Sequence, residues 1–468
     1  MQFNSLDFLL FCIIFFALWP HLCQGNNRRW ALITTASFVF YGWWDWRFLL
    51  LLIGSGLVDF YAAAAIYRWP TKKRLWLALS LTCNLGTLAV FKYLNFLVLN
   101  ANQVLTNCGV ETQLPVMNLL LPVGISFYTF QSMSYTIDVY RGELKPTESV
   151  LHFFAYLSMF PQLVAGPIVR AADLLPQLME ARPVTEAQRW RGTQLIVIGL
   201  FKKTVIADTV ALAANFAFGA EHRNYGCLFW WIAAAAFAVQ IYCDFSGYSD
   251  IARGLAGWMG YEFPVNFDHP YAACGLREFW GRWHTSLSTW FRDYVYIPLG
   301  GSRRGAARSH FNMWVTMIVS GIWHGANWTF VAWGMLHAML LSIERVTGWP
   351  ERLQRLPAGR FAAALVTLVL VLVSWVFFRA ENISQALVVI RQMFDLSTFT
   401  WKDLGAFNSR AVALTLLFLL AELGRLVKWP AWSPGTVVTR LQPAWTALIL
   451  LACVYFRGPG GAFIYFQF

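Results

Sequence analysis

A chain of 468 residues with 58% hydrophobic and only 13% charged side chains carries more apolar surface than a water-soluble core can hide, since soluble domains run at about 25% charged residues. That balance excludes intrinsic disorder, a collagen-like or coiled-coil fibre and a disulfide-stapled secreted domain, and leaves a polytopic membrane protein. The formal net charge of +12 reads as cytoplasmic loops facing anionic lipid rather than as a nucleic-acid groove, and the 24 Trp as interfacial anchors.

In chain order, residues 6–22 form a first apolar run with nothing basic before it and no small-residue cleavage site after it, so it reads as a retained span and not a signal peptide. Arg28 and Arg29 follow and ask for the cytoplasm, which puts Met1 outside. Apolar runs over about 30–44, 48–67, 75–97 and 115–140 each approach the ~20 residues that a bilayer demands. The loop with Arg68, Lys72, Lys73 and Arg74 is expected inside, the stretch near Asn100 to Glu111 outside, and Arg141 with Lys145 inside again. Residues 170–191 are charged and punctuated by Pro, which predicts re-entrant or in-plane helices there. Later apolar runs occupy about 192–218, 227–243, 311–343, 361–378, 411–427 and 441–456. The sum is an all-α polytopic membrane protein with about ten to twelve membrane-embedded helices, interfacial and re-entrant ones among them. With no internal repeat and no long polar linker, 1–468 reads as a single membrane domain. The eight Cys, without a CxxC spacing and mostly inside apolar runs, read as small buried hydrophobes, with no metal site or disulfide framework implied.

Residues 277–308 differ in character. On a helix at ~100° per residue, Phe279, Trp280, Trp283, Leu287, Trp290, Phe291 and Tyr294 share one face while Glu278, Arg282, Arg292 and Asp293 lie opposite. This predicts an amphipathic interfacial helix, with His284 at the edge of its apolar face, a turn at Pro298 to Gly301, and a cytoplasmic basic tail of Arg303, Arg304 and Arg308. The apolar stretch that follows is 34 residues long, from Phe311 to Glu344, too long for one span. Basic residues flank both ends, so the chain is expected to go in and return.

His324 would sit near that turn, in SGIWHGANW. An ionisable group at membrane depth is a functional candidate; helix packing is its plain alternative, and for His337, further along, packing is the preferred reading. A second polar knot, QIYCDFSGYSDIARG over 240–254, holds Asp244, Asp250, Ser246, Ser249 and Arg253. It reads either as a membrane-edge cap with an Asp250 to Arg253 pair or as a proton relay of a transporter. No phosphate-binding glycine loop, HExxH or GxSxG is present.

Taken together, LPVGISFYTFQSMSYTIDVYRG, MFPQLVAGPIVR, GLFKKTVIAD, the knot at 240–254, PVNFDHPY, REFWGRWHTSLSTWFRDYVYIPLGG and GIWHGANWTFVAWGMLH resemble the membrane-bound O-acyltransferases. The resemblance is to the bacterial branch of alginate O-acetylation, cellulose acetylation and D-alanine transfer to teichoic acid. It runs over about residues 115–345, and the closing GAFIYFQF resembles the polysaccharide-acetylating members. It implies His324 as the active residue and His284 as its partner. It also implies no bound cofactor, with acetyl-CoA as the cytoplasmic donor. The acceptor would be an extracytoplasmic polysaccharide, reached through a periplasmic partner with a Ser nucleophile within a polysaccharide synthesis complex of the inner membrane. A His fits such a reaction because removing a hydroxyl proton needs a base that titrates near neutrality. Asn327 is a candidate oxyanion donor, Asp244 and Asp250 supporting polar residues, and Arg277, Arg282, Arg303 and Arg304 candidates for the donor's phosphates. D-alanine transfer from a carrier protein, or a transporter or flippase that makes no covalent bond, are the alternatives.

Overall fold

The computed structural model describes residues 1–219, 225–427, 436–461, 463 and 464, the side chains of 436–440 excepted. Among them every regular element is helical. Among the described residues four helices are long and apolar enough to cross a bilayer: Trp46–Arg68, Pro70–Asn107, Cys227–Trp258 and Gly359–Arg379. Leu6–Leu22, Ile383–Phe394 and Leu441–Tyr455 are shorter apolar helices. The chain is thus a multi-pass all-α membrane protein. It divides into two compact units, one of residues 1–193 with 251–264 and one of 194–250 with 265–468.

In the first unit, Phe160 centres an aromatic core, 5.1 to 5.8 Å from the rings of Phe11, Phe15 and Phe40. The span expected over 115–140 starts only at Ile125 and ends at Arg141. Pro115 and Pro122 lack an N–H to donate, and Gly124 turns left-handed with φ +76°, where a β-carbon would meet Leu163 O at 2.6 Å. The stretch 170–191 does form short pieces, Ala171–Leu178 and the start of Glu186–Leu200. Arg29, expected at a cytoplasmic loop, is buried within the protein, donating to Cys23 O, Asn26 Oδ1 and Leu178 O at 2.6 to 2.7 Å. Asp59 is fully buried but accepts from Ser80 at 2.5 Å, from Asn84 at 2.8 and 2.9 Å, and from Ser132. Donors from two other helices thereby satisfy a carboxylate that would otherwise be costly to bury. Of the cysteines expected to be buried, Cys227, Cys243 and Cys274 are so, Cys12, Cys23, Cys83 and Cys453 are half-buried, and Cys108 is exposed just past a helix end.

The run expected over 227–243 continues to Trp258 as one helix of 32 residues, so the polar knot, whose residues up to Asp250 belong to the second unit, lies inside a helix. Asp244, Ser246 and Ser249 are each 2% exposed. Asp250 receives Lys202 at 2.7 Å, an ion pair that the sequence reading did not anticipate. Asp244 and Asp208 together hold Lys203, at 2.8 and 2.9 Å. The triad also holds the stretch near Gly461 and Ile464: Asp244 accepts the Ile464 N–H at 2.7 Å and the Lys203 ammonium donates to Gly461 O at 3.2 Å. Of the closing GAFIYFQF, residues 462 and 465–468 lie outside the described residues.

The stretch 311–344 is the hairpin that its length demanded. Helix Ala306–His324 runs into a turn at 325–327 and returns as Trp328–Thr347. Its legs of 19 and 20 residues are about 28 to 30 Å long, the thickness of a hydrocarbon core. The legs pack at glycine. A β-carbon on Gly334 would lie 2.5 Å from Met317 O, and one on Gly321 would collide with Phe330 O.

Candidate functional site

The amphipathic segment buries the expected face, with Phe279, Trp283, Leu287, Trp290 and Phe291 at 1 to 3% exposure, but it is not one helix. Leu276–Arg282 stops, Trp283 is extended, His284 turns left-handed at φ +42°, and Thr285–Phe291 begins a new helix. A β-carbon in that conformation costs roughly 1–2 kcal/mol, so something must hold it.

Asn266 does. Its Oδ1 accepts from His284 Nδ1 at 3.1 Å and Ser286 Oγ at 2.9 Å, its backbone O accepts the Thr285 N–H at 2.9 Å, and its Nδ2 donates to Ser249 at 3.2 Å. An amide oxygen only accepts, so His284 carries its proton on Nδ1 and presents the lone pair of Nε2. Sequence reasoning missed Asn266. Its place in PVNFDHPY, directly after a helix end and rich in turn formers, was the available signal.

His324 is the last residue of the first hairpin leg and 4% exposed. Trp323 neighbours both histidines, its ring lying 5.0 Å from that of His324 and 6.4 Å from that of His284. His337 is fully buried and hydrogen-bonded through Nε2 to Ser374 Oγ at 3.0 Å, while that hydroxyl donates to Val371 O at 2.7 Å. It therefore ties the returning leg to the Gly359–Arg379 helix. Asn327, the candidate oxyanion donor, caps the returning leg. Its Oδ1 accepts the Thr329 N–H at 3.0 Å and its Nδ2 donates to Glu381 O at 2.8 Å, so the amide caps the returning leg and ties it to the segment that follows the Gly359–Arg379 helix. Asp244 and Asp250 are held in the ion pairs described above.

A cavity of about 750 Å³ runs along the hairpin. At one end it is lined by Arg277, Glu344, Arg345 and Glu351, along its length by Trp280, Leu287, Phe291 and Met317, and at the other end by Ser320. Ser320 lies one helical turn, about 6 Å, before His324 on the same face, and Ser309 near the mouth is about 16 Å from Ser320 along the helix. The mouth is built by side chains. Glu344 accepts the N–H groups of Leu276 and Arg277 at 2.5 and 3.1 Å, and Arg345 donates to Ser309 Oγ at 2.8 Å. Of the four arginines singled out for donor phosphates, Arg277 lines this cavity. Arg282 pairs with Glu278 at 2.6 Å, and neither it nor Arg303 nor Arg304 is among the lining residues. Arg345, which belongs to the second basic flank, takes their place at the mouth.

Residues 8–384 match the MBOAT, membrane-bound O-acyltransferase family, a longer stretch than the motifs over 115–345 cover. The chain is 41% identical over 411 residues to a probable alginate O-acetylase AlgI of Pseudomonas putida, spanning 86% of this chain and 82% of that protein. It is 34% identical over 400 residues to a peptidoglycan O-acetyltransferase of Helicobacter pylori, spanning 79% and 74%. With a teichoic acid D-alanyltransferase of Bacillus subtilis the identity is 26% over 267 residues, 54% of this chain and 67% of that protein. The chain belongs to the membrane-bound O-acyltransferase family, and it is an acyltransferase.

Proposed function

We propose that the protein is an inner-membrane O-acetyltransferase that takes acetyl groups from acetyl-CoA on the cytoplasmic side and passes them toward an extracytoplasmic polysaccharide. The observation that carries this reading is the cavity, charged at its mouth and apolar along its walls, which ends one turn before His324 at the far end of a bilayer-length hairpin. A phosphate-bearing thioester fits that gradient, with the phosphates at Arg277 and Arg345 and the acyl end near Ser320. His324 removes the proton of the acceptor hydroxyl, the freed oxygen bonds to the thioester carbonyl carbon, and the C–S bond breaks as the thiolate leaves and recovers the proton from His324. His284, held in one tautomer by Asn266, supports that step.

Alginate is the favoured polysaccharide, because relatives bearing the alginate O-acetylase name are 37 to 41% identical over 86 to 90% of this chain; cellulose is the second. A periplasmic partner with its own Ser nucleophile makes the final transfer within a polysaccharide synthesis complex. The test is turnover of radiolabelled acetyl-CoA by purified full-length protein in detergent, with alginate oligosaccharide present. His324→Gln, which keeps hydrogen bonding but takes up no proton at neutral pH, should lose about 10²- to 10⁴-fold in CoA release while purifying normally. Full activity in that variant moves the base to His284. Failure of the unaltered protein to turn over acetyl-CoA while it moves a glycan or ion replaces the enzyme reading with transport.

A further inference from the structure

Three aromatic rings from three elements close around His324. Trp323 precedes it on the first hairpin leg, Trp333 comes from the returning leg, and Phe378 from the Gly359–Arg379 helix. Their ring centroids stand 5.0, 5.1 and 5.0 Å from the imidazole, at interplanar angles of 75°, 86° and 71°. All three rings are at most 4% exposed. Trp333 is itself held from behind by His337, at 4.8 Å, whose orientation is locked by the Ser374 hydrogen bond. Trp280, on the cavity wall, touches both Trp333 and His337, at 5.6 and 5.0 Å.

Rings inclined at 71° to 86° to the imidazole are in the arrangement in which a π face can meet the imidazole edge, and this imidazole must become a cation during the reaction. Aromatic faces carry negative charge density and attract a desolvated cation more strongly than an exposed one. We infer that Trp323, Trp333 and Phe378 form a cage that stabilises the imidazolium of His324, and that Trp333, set in place by His337, is a positioning residue for the acyl transfer. This inference rests on His324 as the base. The other titratable or charged groups around the cage are His337 behind Trp333, His284 beyond Trp323, and Arg379, next in the chain to Phe378. The Arg379 guanidinium turns to Asn215 Oδ1 at 3.1 Å and lies over the Phe218 ring.

The test is the pH profile of kcat/KM for acetyl-CoA in the full-length protein carrying Trp333→Leu, Trp333→Phe or Phe378→Leu. Leucine keeps the site dry but removes the π face, so the acid limb, where the base is lost to protonation, should move to lower pH. A shift of about half to one pH unit is expected for Trp333→Leu and a smaller one for Trp333→Phe. In both, kcat falls while KM for acetyl-CoA stays put. Phe378→Leu carries the same expectation and keeps the inference testable if Trp333→Leu does not fold. An unmoved acid limb in the folded leucine variants, or a move to higher pH, overturns the cage. If His324→Gln is inactive and the limb still does not move, the cage alone fails; if His324→Gln is active, the base assignment fails with it.

Discussion

Replacing Lys203 with Met should unfold part of the protein rather than merely slow it. The ammonium lies 2.9 Å from Asp208 and 2.8 Å from Asp244, and the three side chains are 10%, 6% and 3% exposed. At an effective dielectric of about 20, each contact represents roughly 6 kcal/mol of gross attraction, most of which offsets the cost of taking the charges out of water. Deleting the cation leaves two buried carboxylates facing each other, and breaking a buried pair in this way costs about 3–5 kcal/mol. The contacts to Gly461 and Ile464 would loosen with it, since they use atoms of the same triad. The assay is recovery from detergent and the midpoint of thermal denaturation by intrinsic fluorescence. Lys203→Met should lower both sharply. The combination Lys203→Met, Asp208→Asn and Asp244→Asn should recover much of the loss, because it removes the uncompensated charge. If Lys203→Met melts like the unaltered protein but transfers no acetyl group, the triad is not a structural clamp, and the proton-relay reading of Asp244 returns.

Two further outcomes separate roles at the site. Asn327→Ala removes a helix cap and the link to Glu381 and should cost about 1 kcal/mol of stability while turnover per folded molecule stays within a few-fold; a loss of about 10²-fold or more would instead make Asn327 an oxyanion donor. Arg277→Ala and Arg345→Ala should each raise KM for acetyl-CoA about tenfold, the equivalent of ~1.4 kcal/mol for a charge-assisted contact, with Arg303→Ala/Arg304→Ala nearly unchanged; the reverse pattern would place the donor's phosphates on the basic tail.

Much of this protein was legible in its sequence because the signals are local. Composition demanded a membrane, and a 34-residue apolar stretch with basic flanks demanded a hairpin with His324 near its turn. The ordered motifs carried the family. The helical periodicity of 277–294 picked out Phe279, Trp283, Leu287, Trp290 and Phe291, which are buried, together with Trp280 and Tyr294, which are only half-buried. It could not reveal the break at His284, because the amide that stabilises the break belongs to Asn266, 18 residues earlier. A break of this kind depends on a side chain docking from another segment, which no periodicity records.

The same limit applied to the charges. Lys202, Lys203, Asp208, Asp244 and Asp250 were all visible as ionisable residues in apolar surroundings, which requires that they be paired. Which carboxylate meets which ammonium across 48 residues of chain was decided by the packing of two helices, at a glycine contact where a β-carbon on Gly247 would meet Gly199 O at 2.7 Å. The cavity, and the placement of Arg345 rather than Arg303 at its mouth, likewise followed from how the hairpin lies against the broken helix. The sequence by itself determined the solvent and the family and singled out His324 as the candidate for the reactive residue, since transfer free energy and residue chemistry are local properties of the chain. The partners of each buried polar group were decided only by the tertiary structure, because a hydrogen bond or ion pair requires two groups within about 3 Å, and that proximity is a property of packing.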